Sequence, residues 1–366
     1  MKPLRILYIG VDNGTSLQRA RALERLGHDV HILDPYSFTT SSRIVRKWFH
    51  ETGGLGFEAY VRSRLMTAMP QGNFDLAWVD GGALVGPGLV RALQRSCGAV
   101  INYNVDDPFG PRDRRLWRLY LKSVPSYDLI VVVRDENTAE ALTCGARKVM
   151  RVFRSADEVA HAPRALNDAD WERWGSDVLF AGTWMTERGP FLAELVRRGV
   201  PLTIYGGLWE RAKEWPILRP CWRGQGLSDP DEYAKAIQCS KVCLGLLSTG
   251  NRDLHTTRSM EIPYLGGLLC AKRTREHLGL YRENEEAVFW SSAEECAEKC
   301  VRMLHDAELR RGIAVKGQTR CVNNLTTNED VLARILGYAL PERFASGRAN
   351  GLDLTTTANA VLPAHT

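Results

Sequence analysis

Short apolar runs alternate with amphipathic stretches along most of the chain. Residues 5–10 are apolar and end in glycine. Leu17, Ala20, Ala22, Leu23 and Leu26 then recur at helical spacing until Gly27, and 28–34 read as a second strand. The alternation continues with strands over 74–80, 98–103, 127–133 and 148–153, separated by helices over 86–96 and 136–142. Strand–helix–strand units of this length make parallel crossovers, and a parallel sheet needs cover on both faces. The rhythm breaks over the polar residues 155–176, which read as a linker. It resumes with strands 177–182, 201–206, 241–247 and 267–270, helices 189–198 and 231–239, and a short helix near Ser259 or Met260. Helices over 293–305, 308–321 and 328–340 follow. The pattern predicts an α/β chain of two Rossmann-like domains, 1–160 and 170–340, with parallel sheets facing across a cleft, and a flexible tail over 341–366.

Composition narrows the function classes. The 366 residues are 44% hydrophobic and 25% charged, with net charge +5. That mild excess suits an anionic ligand or a peripheral membrane contact, but is far from the basic stripe of a nucleic-acid binder. No run approaches 18 apolar residues, and Met1-Lys2-Pro3 leads straight into a strand, so neither a membrane-spanning helix nor a signal peptide is expected. Nine cysteines include no C-x-x-C pair. Cys239/Cys243 and Cys296/Cys300 are four apart, and share a helix face if helical. With no histidine pair to complete a ligand set, they read as reduced thiols of a cytoplasmic protein, with no metal.

Ligands of open parallel sheets sit beyond the carboxyl ends of the strands, so the loops there are the candidates. In 10–16, Gly10 and Gly14 flank Asp12, ahead of Thr15 and Ser16. Either this loop lets a phosphate or sugar approach the backbone, or Thr15 or Ser16 simply caps a helix. Asp106 and Asp107, paired at a strand end, either serve as a base or hold an acceptor hydroxyl, or else form an Asx turn before Pro108. Arg188 opens a helix after the loop 182–187. A cation is unfavourable at that end of the helix dipole unless an anion lies between. The densest polar segment is 251–267, N-R-D-L-H-T-T-R-S-M-E-I-P-Y-L-G-G. Pro263 requires its helix to begin only a few residues earlier, which places Glu261 in the first turn. An Arg258–Glu261 surface pair is the plain alternative there, and His255 is either a bonded loop histidine or a base.

With these residues in view, the chain resembles the CgeB-like (spore maturation protein) branch of GT-B glycosyltransferases. The similarity rests on D-L-H-T-T-R-S-M-E-I-P-Y-L-G-G, on Lys272-Arg273-Thr274-Arg275-Glu276-His277, on Glu285-Glu286-Ala287-Val288-Phe289, on residues 177–188 and on Gly14-Thr15-Ser16-Leu17-Gln18-Arg19. It covers most of residues 4–340 and is more specific in the second domain. It implies a metal-independent enzyme that binds a nucleotide-diphosphate sugar as co-substrate on the second domain and a hydroxyl acceptor on the first, with no separate cofactor. Retention, the favoured course, needs no protein base if the departing phosphate takes the acceptor proton, whereas inversion needs one, with Asp106, Asp107, His255 or Asp12 as candidates. The acceptor is a polysaccharide, glycolipid, protein or small molecule. The retaining group carries E-x7-E, and here Asp253 and Glu261 have that spacing. It also carries G-R-x-x-x-E-K-G, where this chain has Gly182-Thr183-Trp184-Met185-Thr186-Glu187-Arg188-Gly189.

The resemblance therefore implies donor-binding roles for Glu261, Arg258, Arg188, Thr257 and Gly182. It leaves Asp253, His255, Asp106 and Asp107 as catalytic candidates, and Asp12, Gly14 and Thr15 as an acceptor or phosphate loop. Location is expected to be cytoplasmic or peripheral to the inner membrane face. A nucleotide-sugar epimerase of the same fold and a non-catalytic nucleotide- or carbohydrate-binding protein are the alternatives. A nicotinamide dehydrogenase is disfavoured, because G-x-G-x-x-G is missing from both domain starts.

Overall fold

The computed structural model describes residues 2–38, 48–49 and 51–344. The chain divides into two compact units. Among the described residues, the first takes those up to Phe153, Gly250–Arg252 and 328–344; the second takes Arg154–Thr249 and Asp253–Thr327.

Each unit is built on one six-stranded sheet, parallel throughout. In the first unit, β1 (Arg5–Ile9), β2 (Asp29–Leu33), β3 (Leu76–Asp80), β4 (Val100–Asn104), β5 (Leu129–Val132) and β6 (Val149–Arg151) lie in the order β2-β1-β3-β4-β5-β6. In the second, β7 (Ser176–Ala181), β8 (Leu202–Tyr205), β9 (Trp222–Gly224), β10 (Ser240–Gly245), β11 (Leu269–Lys272) and β12 (Val288–Trp290) lie in the order β12-β11-β10-β7-β8-β9. This is the doubly wound order. The winding reverses between β1 and β3 in the first unit and between β7 and β10 in the second, and such a reversal opens a crevice at the strands' carboxyl ends.

Three differences from the sequence pattern have physical causes. Residues 155–176 are not simply a linker. Asn167 and Asp170 form a reciprocal capping box that starts a helix, Asp168–Trp174. The C-terminal helix Asn328–Ala339 joins the first unit, although the expected second domain ran to 340. Its Val331, Leu332, Ile335 and Leu336 are buried with Leu4, Ile6, Ala20 and Leu23. The helix Arg258–Tyr264 carries Pro263 in its second turn. Proline leaves the carbonyl of Ser259 without its helical donor, and the Tyr281 hydroxyl donates to that oxygen at 2.7 Å. Of the expected tail, Pro341–Phe344 is a short helix and the rest lies outside the described residues. Among the described residues, no helix is long and apolar enough to cross a membrane.

Candidate functional site

The two reversal points are furnished differently. In the first unit the chain fills its own. The Arg19 guanidinium bonds both oxygens of Asp80, at 2.7 and 2.8 Å, and the Tyr8 hydroxyl donates to Asp80 at 2.8 Å. Tyr8 and Arg19 are buried, and the Asp80 side chain is only 8% exposed. Burial alone would lower the pKa of Arg19, but Asp80 outweighs it and holds the guanidinium above its usual range. A Cβ at Gly10 would lie 2.7 Å from Ser16 Oγ and 3.0 Å from Asp80 Cβ, so the loop closes tightly over this pair. Asp12, Gly14 and Thr15 are exposed above it. The helix start is Asn13, without a side-chain cap, so neither Thr15 nor Ser16 has the capping role expected of it.

In the second unit two arginines stand at the reversal. Arg188 is buried. It donates to the carbonyls of Thr183 at 2.8 Å, beyond β7, and of Leu246 and Leu247 at 3.5 and 3.4 Å, beyond β10. It therefore straps together the ends of the two strands that define the crevice. Arg258 is half-buried and spends only Nε, which donates to the carbonyl of Ala181 at 2.6 Å. Its two terminal nitrogens have no partner among the described residues, and one lies 3.4 Å from where a Gly182 Cβ would stand. Thr257, the residue before this helix, makes no side-chain cap bond. Gly182 itself has no amide to spare. Its N–H bonds Tyr205 O at 2.8 Å and its carbonyl takes Trp209 Nε1 at 3.0 Å.

The same floor explains Gly206. A Cβ there would fall 1.9 Å from Gly182 O. Backbone cannot rotate away, so Gly206→Ala is expected to cost about 1–3 kcal/mol, read as a lower urea midpoint with an unchanged slope.

Glu261 is buried rather than paired with Arg258. Its carboxylate accepts the Tyr233 hydroxyl at 2.8 Å and faces His161 Nε2 at 3.6 Å. His161 is oriented by the Asp157 amide, which donates to its Nδ1 at 2.8 Å.

Three of the four catalytic candidates are committed elsewhere. Asp253 is buried and pairs with Arg154 at 3.2 Å. His255 Nε2 accepts the Arg154 amide at 3.0 Å, so the ring proton is on Nδ1, where it donates to Glu276. With both nitrogens engaged, His255 is bonded as a loop histidine. Asp107 is held within the first unit by Arg252, at 2.6 and 2.7 Å, and by Asn137 at 2.8 Å. Burial alone would raise its pKa, but these hydrogen bonds and the Arg252 and Arg134 charges hold it below the usual value. Asp106 is exposed, and its amide donates to Asn104 Oδ1 in an Asx turn. The remaining carboxylate candidates, Asp106 and Asp12, both belong to the first unit.

The partners that shape this region include Arg154, His161, Tyr233 and Tyr281, which the sequence did not single out, and Glu276 and His277, which it marked only as part of the resemblance. His277 anchors the head of the Arg258 helix. Its Nδ1 donates to Lys272 O at 2.6 Å, while Ser259 Oγ donates to Nε2 at 2.8 Å and accepts the Thr256 amide at 3.0 Å. Burial lowers its pKa from 6.5 to about 4, so the folded ring is neutral at pH 7. A group whose pKa falls on folding loses its stabilising contribution as pH drops. The contribution of His277 is intact above pH 6.5 and fades towards pH 4. Unfolding free energy is thus expected to decline between pH 6.5 and 4, and less steeply in His277→Gln, which cannot titrate.

Comparisons with known proteins bear on this arrangement. Residues 188–337 match the family described as Glycosyl transferase-like. No curated protein matches the sequence. Among solved structures, the sucrose-phosphate synthase of Thermosynechococcus elongatus superposes with a TM-score of 0.66 at 13% identity, over 94% of this chain and 100% of that one. Anabaena HepE in complex with UDP-glucose gives 0.60 at 11% identity, over 92% and 100%. The Escherichia coli protein described as trehalose-6-phosphate bound with UDP-2-fluoro glucose gives 0.60 at 13%, over 92% and 98%. At such identities the likeness is one of fold, and that fold is the GT-B glycosyltransferase type.

Proposed function

We propose that this chain, with a GT-B fold and a Glycosyl transferase-like segment over 188–337, is a metal-independent glycosyltransferase that uses a nucleotide-diphosphate sugar. The diphosphate sits beyond β7 and β10, against Arg258. The observation that supports this most is that Arg258 stands at the reversal of the second sheet with no partner for its terminal nitrogens among the described residues. A planar guanidinium suits a diphosphate, because two N–H groups meet two oxygens at once. Arg188 adds a fixed positive charge beneath it. Together they stabilise the charge that grows on the leaving nucleoside diphosphate, as a metal would in other enzymes. Glu261, oriented by Tyr233 and His161, receives the ribose hydroxyls. The segment 253–267 supports placement in the CgeB-like branch.

The commitment of Asp253, His255 and Asp107 to other residues supports retention: the departing phosphate takes the acceptor proton, and the acceptor oxygen bonds the anomeric carbon on the face that the phosphate leaves. The test is incubation with uridine, guanosine and thymidine diphosphate sugars and simple glycoside acceptors, with UDP-glucose first. Nucleoside diphosphate release that requires an acceptor, and a product of unchanged anomeric configuration by NMR, are expected. An inverted product would refute the assigned proton route, and no turnover of any donor would refute the activity.

A further inference from the structure

The second unit contains a feature that the proposed transfer reaction does not use. Cys270 on β11 and Cys296 and Cys300 on the helix Ala293–His305 are fully buried, and their sulfurs all lie within 4.8 Å of one another. The four-residue spacing puts Cys296 and Cys300 on one face of the helix, and that face meets the strand at Cys270. Val242, Leu244, Leu268, Val288 and Met303 belong to the same apolar core. Buried cysteine is an ordinary core filler, but filling space does not require three sulfurs to converge. Three thiols at one point make a soft-ion ligand set.

We propose that Cys270, Cys296 and Cys300 form a buried three-thiol site for a trivalent thiophilic ion, of which arsenite is the accessible probe. Charge decides the valence. Three thiolates around a divalent ion leave one net negative charge in an apolar core, and around a monovalent ion two; such buried charge is costly without a partner. A trivalent centre leaves none. Among the described residues no fourth histidine, cysteine or carboxylate joins the group, which suits a three-coordinate pyramidal ion. The reaction is condensation without redox change. Arsenous acid exchanges its three hydroxyls for three thiols; three As–O and three S–H bonds break, three As–S bonds form, and three waters leave.

The test uses the full, reduced chain. Native mass spectrometry with arsenite is expected to show one arsenic gained and three protons lost. Alkylation after rapid unfolding should then spare Cys270, Cys296 and Cys300 while labelling exposed Cys144 and half-buried Cys221. Cys300→Ala should weaken binding by more than the roughly 10–100-fold that losing an outer-shell partner costs a metal site. The footprint on the wild type needs no variant, so a misfolded mutant does not spoil the test. Protection of other cysteines, a two-proton adduct, or tighter cadmium than arsenite binding at the trio would each overturn the proposal.

Discussion

Asp80→Ala is expected to destabilise the first unit by about 3–5 kcal/mol, the cost of leaving a buried charge without its partner. Arg19 and Asp80 are both nearly shielded from water, at 6% and 8% side-chain exposure, and share two short hydrogen bonds. Removing the carboxylate strands the guanidinium against the Tyr103 ring, 5.3 Å away, and leaves the Tyr8 hydroxyl without that acceptor. The effect should be an interaction, not a loss of packing. In the double variant Arg19→Met/Asp80→Ala much of the stability should therefore return, and the cycle of four proteins should give a coupling of at least about 1 kcal/mol by urea unfolding. Independent, additive losses would mean that the pair does not plug the first sheet's reversal as described.

Arg258→Ala is expected to lower kcat/KM for the nucleotide-sugar donor by about 10²–10³-fold, the loss seen when one preorganised donor to developing charge is removed. Kinetics of nucleoside diphosphate release would measure it. The folded state should change little, because the side chain contributes one bond, from Nε to Ala181 O. Arg258→Lys should recover only part of the rate, since an ammonium keeps the charge but not the fork that meets two oxygens. Arg188→Ala should behave differently and lower stability as well as rate, because its guanidinium is spent on the carbonyls that hold the two loops. A rate in Arg258→Ala within a few-fold of wild type would remove this arginine from the diphosphate site.

Much of the fold was legible because parallel strands and their covering helices announce themselves locally. The runs around Ile6–Ile9, Leu76–Val79 and Leu129–Val132 are nearly continuous apolar segments, and all are strands. What escaped were short elements with little room for periodicity, β9, β12 and the helices Arg118–Ser123, Asp168–Trp174 and Arg275–Leu280, and one longer helix, Glu58–Ala68, which buries only Val61 and Leu65. The destination of Asn328–Ala339 was also hidden. Its apolar stripe shows that it packs, but a stripe does not name its partner.

At the site, residue types singled out loops around the second sheet, but not which of their side chains are bonded to one another. Arg188, Arg258 and Glu261 do lie in the second unit, on elements at the carboxyl end of its sheet or just beyond. That the terminal nitrogens of Arg258 lack a partner among the described residues while Asp253, His255 and Asp107 are paired depends on contacts up to 145 positions apart in the chain, such as Arg252 with Asp107. Cys270 likewise joins Cys296 and Cys300 only because β11 runs beneath that helix.

The central claim is an anion site at Arg258, and nucleoside diphosphate binding followed by thermal stability tests it most directly. Uridine diphosphate, or failing that its guanosine or thymidine counterpart, at about 100 times its dissociation constant should stabilise the wild type by roughly 2.7 kcal/mol. Arg258→Ala, equally well folded, should lose most of that shift. Equal stabilisation of both proteins, or none of the wild type by any of the three nucleotides, would contradict it.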